Sequence, residues 1–302
     1  MAPHRAGRST LFVPGSRPDM IAKAAASQAD AVCLDLEDSV APAEKPSSRA
    51  HVVRALRELD FGTRLRMVRV NAIDTPFAYR DIVDVVEGAA GRVDALMVPK
   101  VASARDVWFV DTLLAQIEAS LGIATPVEVH GQIESAAGYV NVANIASAAP
   151  RLRSLILGPG DFAASMRMPS IGIGEFDEHD ALYPGHRLHG VMLALVAAAR
   201  ANGLQCVDGP YGQYKDAAGF DRSCRIARVM GFDGKQCIHP SQLAPVNEIF
   251  SPTPKEVEQA AAVVKAFDDA VAAGRGAATH DGKMIDAASV RMARTILDRV
   301  KA

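Results

Sequence analysis

Short apolar runs alternate along the chain with longer segments in which apolar residues recur at helical spacing. The short runs are rich in β-branched residues and end at a polar residue, Gly or Pro, as strands do. Several of them, such as Ser154–Leu157, are apolar on both faces, which is typical of parallel strands covered by helices. The predicted strands are Thr10–Val13, Ala31–Leu36, Arg66–Val70, Ala95–Val98, Val127–Ile133, Ser154–Leu157, Gln205–Val207 and Lys235–Ile238.

Strand–helix alternation that repeats eight times within about 250 residues favours a (β/α)8 TIM barrel, because a doubly wound sheet usually has fewer strands. We therefore predict an α/β protein in which residues 1–251 form the barrel. One of the predicted helices is Ala136–Ala148. The irregular stretch Met166–His186 lacks the residue order of a Ca²⁺ loop, so we interpret it as a solvated lid at the active face.

The pattern changes in residues 252–302. A long helix is predicted at Lys255–Ala273, a Gly-rich loop at Gly274–Lys283 and a final helix at Ala287–Lys301, with no strand among them. A segment of this size has too little core to fold alone. We expect this C-terminal helical extension to pack on its own barrel or on a neighbouring subunit.

Composition narrows the classes of function. The chain has 33 Lys and Arg against 35 Asp and Glu, with no basic block, which argues against a nucleic-acid partner. The longest apolar run, Val191–Ala199, is well short of the roughly 18 residues that span a bilayer. The four cysteines are far apart and include no Cys-x-x-Cys pair, so neither a zinc ribbon nor a redox dithiol is indicated. We expect a cytoplasmic protein with no membrane partner.

The residues just beyond the strands form the active site in a TIM barrel. In this chain those positions are polar, and acids outnumber bases among them. They are Asp35, Glu37, Asp38, Arg69, Asn71, Lys100, Glu134, Asp161, Asp208 and His239.

Glu134 and Asp161 are 161 − 134 = 27 residues apart, which is one helix–strand unit, so they follow adjacent strands and can converge. A divalent ion relieves the repulsion between two such carboxylates. A site of two protein oxygens without a Cys or His cluster suits Mg²⁺, with Mn²⁺ as a substitute. The alternative is that each acid only accepts hydrogen bonds from the first turn of a helix.

Arg69 lies inside an apolar strand, where a guanidinium is costly to bury unless it meets an anion. That anion can be substrate, or acids of strand two in a structural ion pair, and both can hold together. At the first strand, Arg17 at a helix start and Lys23 form a weak phosphate-site signal, and both can equally be solvated surface residues. His239 is equally open to a structural role.

The chain resembles the CoA-ester lyases related to the citrate lyase β-subunit, which include malyl-CoA, β-methylmalyl-CoA and citramalyl-CoA lyases. The resemblance covers nearly the whole chain and rests on a set of motifs. These are Arg8–Gly15, Leu34–Pro42 with Lys45, Val68–Asn71, Pro99–Lys100, Gln132–Ser135, Gly158–Phe162, Ile238–Pro240 and Asp281–Asp286.

The resemblance implies a barrel with Mg²⁺ on Glu134 and Asp161 and with Arg69 against the substrate. It implies further that Asp286 acts from a neighbouring subunit of a homo-oligomer, a trimer or hexamer. Ala287 and Ala288 follow Asp286 where a proline is frequent in the family. The predicted catalytic residues are Arg69, Glu37, Asp38 and Asp286, and the predicted coenzyme A contacts are Phe12, Arg17, Lys23 and His239.

The activity that the resemblance implies is reversible carbon–carbon cleavage of a 3-hydroxyacyl-CoA into an acyl-CoA and a 2-oxo acid. The sequence Gly-Pro-Gly-Asp at 158–161 favours the malyl-CoA and β-methylmalyl-CoA branch, whose products are glyoxylate and acetyl-CoA or propionyl-CoA. The alternatives are a citramalyl-CoA lyase, a malyl-CoA thioesterase, an aldolase of free 2-oxo acids and a citrate-lyase-like subunit that needs an acyl carrier.

Overall fold

Eight parallel strands close into a barrel in the computed structural model of the protein, which describes residues 7–169, 172–182 and 187–301. Each strand pairs with the next along the chain, and the first pairs in parallel with the eighth. The predicted (β/α)8 fold is thereby confirmed. The barrel strands are β1 (Ser9–Pro14), β2 (Ala31–Asp35), β3 (Leu65–Arg69), β4 (Ala95–Val98), β5 (Glu128–Ile133), β6 (Leu152–Leu157), β7 (Gln205–Asp208) and β8 (Gly234–Cys237).

Helices follow most of the barrel strands, and further helices lie in the C-terminal part of the chain. Their ends carry the residues that helix termini require: Ser103 and Asp106 form a capping box before the fourth helix, and Gly122 ends it in the left-handed conformation. The helices are α1 (Pro18–Ala25), α2 (Lys45–Glu58), α3 (Ala78–Ala89), α4 (Ala104–Leu121), α5 (Ala136–Val140), α6 (Val142–Ala146), α7 (Pro159–Ser165), α8 (His189–Ala201), α9 (Ala217–Met230), α10 (Leu243–Ile249), α11 (Pro254–Ala272) and α12 (Ala287–Lys301).

An apolar cluster occupies part of the barrel interior, whereas the carboxyl end of the barrel is polar. Cys33, Met67, Met97, Ile156 and Val207 form one buried cluster contributed by five strands. Alternate residues of a strand point to the same face, so the next inward positions of β2 and β3 are the polar residues at their carboxyl ends. The strand register therefore fixes where charged side chains gather.

Two details of the barrel differ from the prediction. The expected helix Ala136–Ala148 is divided into α5 and α6 at Asn141, whose side chain donates a hydrogen bond to the Ala102 carbonyl at 3.0 Å. The predicted lid Met166–His186 includes residues 170–171 and 183–186, which lie outside the described residues. Its described part contains a short 3-10 helix, Glu178–Leu182.

The chain divides into two compact units, one of residues Gly7–Asn247 and one that begins at Glu248. In the second unit α11 and α12 pack together. These are the two helices predicted for this part of the chain. The prediction of an extension without strands is wrong. Strands β9 (Ala278–His280) and β10 (Lys283–Ile285) form an antiparallel hairpin within it.

The hairpin forms because Asp281 and Gly282 supply its two-residue turn. Both have positive φ, 48° and 72°, as a type I′ turn requires.

Among the described residues, no helix is both long and apolar enough to cross a membrane. The cytoplasmic location stays a prediction.

A buried ion pair joins β7 to β8 away from the carboxyl-end cavity described below. The Lys235 ammonium contacts the Asp208 carboxylate, and the two side chains are 2% and 7% exposed. Asp208, expected at the active face, is thus used to hold two strands together. Removal of one partner from such a pair leaves an uncompensated buried charge.

We predict that Lys235→Met lowers the free energy of unfolding by about 3–5 kcal/mol, because Asp208 then stays buried without its partner. The double variant Asp208→Leu/Lys235→Met removes both charges and should recover most of that loss. Denaturant unfolding followed by circular dichroism measures both changes. A single variant as stable as wild type would contradict this account of the pair.

Candidate active site

A cavity of about 520 Å³ opens at the carboxyl ends of the barrel strands. It is lined by residues from the ends of at least six strands and the loops that follow them. Several of the residues predicted from the sequence meet here. The polar side chains that line it are Asp35, Asp38, Ser39, Arg69, Gln132, Glu134, Asp161 and Gln236, and Phe12 lies on its wall.

Glu134, which directly follows β5, is 2% exposed and is held at both carboxylate oxygens. Oε1 accepts a hydrogen bond from the Lys100 backbone N–H at 2.7 Å, and Oε2 accepts one from Gln132 Nε2 at 2.6 Å. Gly158 leaves room for it, because a Cβ there would lie 2.2 Å from Glu134 Oε2. Ser135, and not Glu134, caps α5. The alternative that Glu134 is only a helix cap is therefore wrong.

Lys100 connects four acids from three segments of the chain. Its ammonium lies 2.5 Å from Glu37 Oε1, 3.6 Å from Asp38 Oδ2 and 3.8 Å from Asp161 Oδ2. Its backbone has φ 53°, a left-handed conformation that is rare for a residue with a Cβ. This strained backbone turns the Lys100 N–H toward Glu134, as strain at functional sites often does.

Arg69, at the end of β3, pairs with acids of β2 and the loop after it. This is the structural ion pair expected from the sequence as the alternative to a contact with substrate. Its Nε and Nη2 donate to the two oxygens of Asp35 at 2.6 and 2.7 Å. Its Nη1 lies 3.0 Å from Glu37 Oε2, and its guanidinium lies 5.1 Å from the centre of the Phe12 ring. Arg69 still lines the cavity, so the ion pair and a contact with substrate are compatible.

The crowding of carboxylates shifts several pKa values. Burial, followed by the charges of Glu37 and Asp161, raises the pKa of Glu134 to about 7. Burial also raises the pKa of Glu37, against the opposing effects of Arg69 and Lys100. Burial alone would lower the pKa of Arg69, but Asp35 reverses the shift and raises it. The site therefore favours an added positive charge.

The donor set fits a hard divalent cation. Glu134 and Asp161 both line the cavity, and Asp161 raises the pKa of Glu134, so the two carboxylates share one space. Within the described ranges, no three His, Cys, Asp or Glu side chains form a cluster that could hold a metal ion. A cation bound by two carboxylates would need water or substrate oxygens to complete its coordination shell. Mg²⁺ is usually bound in this way.

Three predicted coenzyme A contacts are absent from the described residues that line the cavity. Arg17 is exposed and pairs with Asp19 at 3.2 Å, and Lys23 is exposed on α1. His239 stacks on Tyr214, with ring centres 4.5 Å apart, and accepts a hydrogen bond from the Ser241 N–H. The hydrogen-bonded arrangement foreseen for His239 is present, and the coenzyme A roles stay predictions.

Asp286 lies in the C-terminal unit, directly before α12. Its Oδ1 accepts hydrogen bonds from the Ser289 N–H at 2.9 Å and from the Ser289 hydroxyl at 3.0 Å. These bonds hold the pKa of Asp286 below its ordinary value, so the carboxylate is ionised at neutral pH.

Lys100, Gln132 and Gln236 had no predicted role. Lys100 and Gln132 both donate hydrogen bonds to Glu134, and Gln236 donates one to Gln132. For Gln132 a signal existed. It precedes Glu134 by two residues on one strand, so the two side chains share a face. The left-handed backbone of Lys100 had no such signal.

Known proteins resemble this chain over nearly all of its length. The family model described as HpcH/HpaI aldolase/citrate lyase matches residues 8–240. An L-malyl-CoA/β-methylmalyl-CoA lyase of Cereibacter sphaeroides is 44% identical over 301 residues, which cover 98% of this chain and 95% of that protein. A (3S)-malyl-CoA thioesterase of the same species is 37% identical over 298 residues, with the same coverages.

A solved structure extends the likeness to three dimensions. Protein CitE from Mycobacterium tuberculosis, in complex with magnesium, acetoacetate and coenzyme A, matches with a TM-score of 0.78 and 31% identity. The match covers 98% of this chain and 99% of that one.

In metal-free protein, we expect stability to fall as the pH rises from 4.5 to 7. Glu134 keeps its proton in the folded chain up to about pH 7 but loses it in the unfolded chain above its ordinary value of 4.5. The folded state therefore binds more protons in this window, and the change amounts to roughly 3 kcal/mol. Denaturant unfolding in EDTA at several pH values measures it.

Glu134→Gln should flatten that pH dependence, whereas Asp38→Asn, at a side chain that is 61% exposed, should leave it in place. Parallel curves for wild type and Glu134→Gln would show that Glu134 is ionised throughout and that its burial costs less than argued.

Proposed function

The chain belongs to the HpcH/HpaI aldolase/citrate lyase family, and from this membership we propose that it is a Mg²⁺-dependent lyase of malyl-CoA or β-methylmalyl-CoA. The resemblance identified from the motifs is thus confirmed at the level of the family. The observation that carries the proposal is the convergence of Glu134, Asp161 and Arg69 on one cavity.

The proposed reaction breaks the bond between C2 and C3 of the acyl chain. The hydroxyl that becomes the carbonyl of glyoxylate loses its proton, and the electron pair of the broken bond passes to the thioester as an enolate. A proton added to the enolate carbon gives acetyl-CoA or propionyl-CoA. It balances the proton that the hydroxyl releases, so the reaction consumes neither water nor a net proton. In the reverse direction the same steps join the two products.

Glu134 and Asp161 would hold the ion, with the remaining positions open to water and to the oxo acid. When bound, Mg²⁺ supplies Lewis acidity that polarises the oxygen atoms of the oxo acid. The magnesium in the CitE complex supports this choice of ion, and the negative charges of Glu37 and Asp161 near Glu134 favour a cation there. Mn²⁺ is expected to substitute.

Arg69 would stabilise the charge that develops on the thioester oxygen. The two hydrogen bonds to Asp35 fix the guanidinium plane before substrate arrives, so little reorganisation is needed. Glu37 and Asp38, predicted as catalytic, are proposed to act by holding Lys100 and Arg69 in place.

Phe12, Arg17, Lys23 and His239 are proposed as coenzyme A contacts, and Asp286 as the group that moves the proton at the acyl carbon. Asp286 would come from a neighbouring copy of the chain, so the proposal includes a homo-oligomer. The motif Asp281–Asp286 supports this assignment, and an ionised Asp286 carboxylate can accept the proton from the acyl carbon in the direction of bond formation.

A thioesterase is the second candidate, because a relative of that name also covers 98% of the chain. The two activities give different products. A lyase forms acetyl-CoA and glyoxylate, whereas a thioesterase adds water and forms malate and free coenzyme A.

We expect the isolated protein with Mg²⁺ to join glyoxylate to acetyl-CoA or propionyl-CoA, and to release acetyl-CoA and glyoxylate from malyl-CoA. Mass spectrometry of the products checks this, and EDTA should abolish turnover. Glu134→Ala and Asp161→Ala should be inactive yet folded, whereas Glu58→Ala, at an exposed position on α2, should be fully active.

Free coenzyme A as the main product would replace the lyase by the thioesterase. Products formed only from pyruvate would indicate a citramalyl-CoA lyase. Inactivity of the isolated chain on every CoA ester would favour a subunit that needs an acyl carrier, and full activity in EDTA would refute the metal role.

Asp286→Asn should lower kcat by about 10²- to 10⁴-fold with a smaller effect on KM, because it removes proton transfer but not substrate binding. The matched control is Asp281→Asn, at a side chain that is 83% exposed and five residues earlier. Steady-state kinetics on both variants test this. Unchanged turnover of Asp286→Asn would remove Asp286 from the reaction.

A further inference from the structure

Gln132 contacts the Glu134 carboxylate and Gln236 contacts Gln132, and the proposed reaction uses neither glutamine. Gln132 on β5 and Gln236 on β8 are 4% and 2% exposed. Both line the cavity. Buried amides without hydrogen bonds are costly, so their partners decide what such residues contribute.

The two amides and the carboxylate form a chain of hydrogen bonds. Gln132 Nε2 donates to Glu134 Oε2 at 2.6 Å, and Gln132 Oε1 accepts from Gln236 Nε2 at 3.4 Å. Gln236 Nε2 also lies 3.7 Å from the sulfur atom of Met97. The chain thus reaches from β8 across the barrel interior to the end of β5.

The direction of this chain follows from what a cation-binding carboxylate can do. When Glu134 binds a cation it is ionised and only accepts hydrogen bonds, so Gln132 must present its amide nitrogen to it. The Gln132 carbonyl oxygen then faces Gln236, which must in turn present its own nitrogen. Each amide orientation is therefore determined by the carboxylate at the end of the chain.

The surroundings leave Glu134 little freedom. Its other oxygen is held by the Lys100 N–H at 2.7 Å. On the side of β6, a Cβ at Gly158 would lie 2.2 Å from Glu134 Oε2 and 2.9 Å from Gln132 Nε2, so the backbone closes against both groups. Gln132 is the side-chain donor that fixes Oε2.

We propose that Gln132, held by Gln236, is a positioning residue that sets the Glu134 carboxylate for binding a divalent cation. The inference rests on the proposed role of Glu134 as a metal ligand. A neutral amide suits this task, because it orients the carboxylate without cancelling the negative charge that attracts the ion. A lysine or arginine in its place would compete with the ion for that charge.

The test is a calorimetric titration of the full chain with MgCl₂. Gln132→Met keeps the length of the side chain but removes the donor, and it should weaken Mg²⁺ binding by about 10- to 100-fold, the range typical of groups that orient metal ligands. Gln236→Met leaves Gln132 in contact with Glu134 and should weaken binding by a smaller factor. Thermal melting and circular dichroism show whether the variants fold as wild type does.

Ser154→Ala is the matched control. Ser154 is also buried in the barrel and has a hydrogen bond at 2.7 Å, but its partner is His130 and not Glu134. This variant should bind Mg²⁺ as wild type does. Weakened binding in the control as well would overturn the inference, because any buried polar loss would then have the same effect.

The outcomes separate the inference from the proposed function. Wild type that binds no Mg²⁺ refutes the metal site itself. Wild type that binds Mg²⁺ together with a folded Gln132→Met variant of equal affinity refutes only the positioning role. If Gln132→Met does not fold, Gln236→Met decides: weaker binding supports the role, and unchanged binding overturns it.

Discussion

The repulsion among carboxylates at the carboxyl end of the barrel is the constraint on which the site depends. The charges of Glu37 and Asp161 both act on Glu134, and Glu37 and Glu134 are almost fully buried. Arg69 and Lys100 balance part of this charge through direct ion pairs. The raised pKa of Glu134 indicates that the balance is incomplete. In the proposed function a divalent cation would complete it, and a chelating oxo acid would bind to the same ion.

The barrel lowers the cost of this concentration of charge because the charged groups lie on separate strands. The polar residues of the cavity come from the ends of β2, β3, β5 and β8 and from α7, while an apolar cluster around Met67 and Met97 lies farther along the barrel interior. Local backbone features complete the arrangement. The left-handed Lys100 directs its N–H at Glu134, and Gly158 lets the Glu134 carboxylate lie against the end of β6.

The sequence was sufficient to predict the barrel and the meeting of Glu134 with Asp161, because both follow from periodicity and from the spacing of strand ends. It was insufficient for features set by tertiary contacts. The left-handed backbone of Lys100 has no signature in the neighbouring sequence. The same is true of the ion pair between Asp208 and Lys235. The hairpin at β9 and β10 did have one, Asp281-Gly282, but strands of three residues carry too little periodicity to be seen.

The most direct test of the central claim is electron paramagnetic resonance of Mn²⁺ added to the purified protein. The account predicts one bound Mn²⁺ per chain, displaced by excess Mg²⁺, and loss of this binding in both Glu134→Ala and Asp161→Ala. Undiminished stoichiometric binding of Mn²⁺ by both variants would contradict this prediction, because the ion would then lie elsewhere.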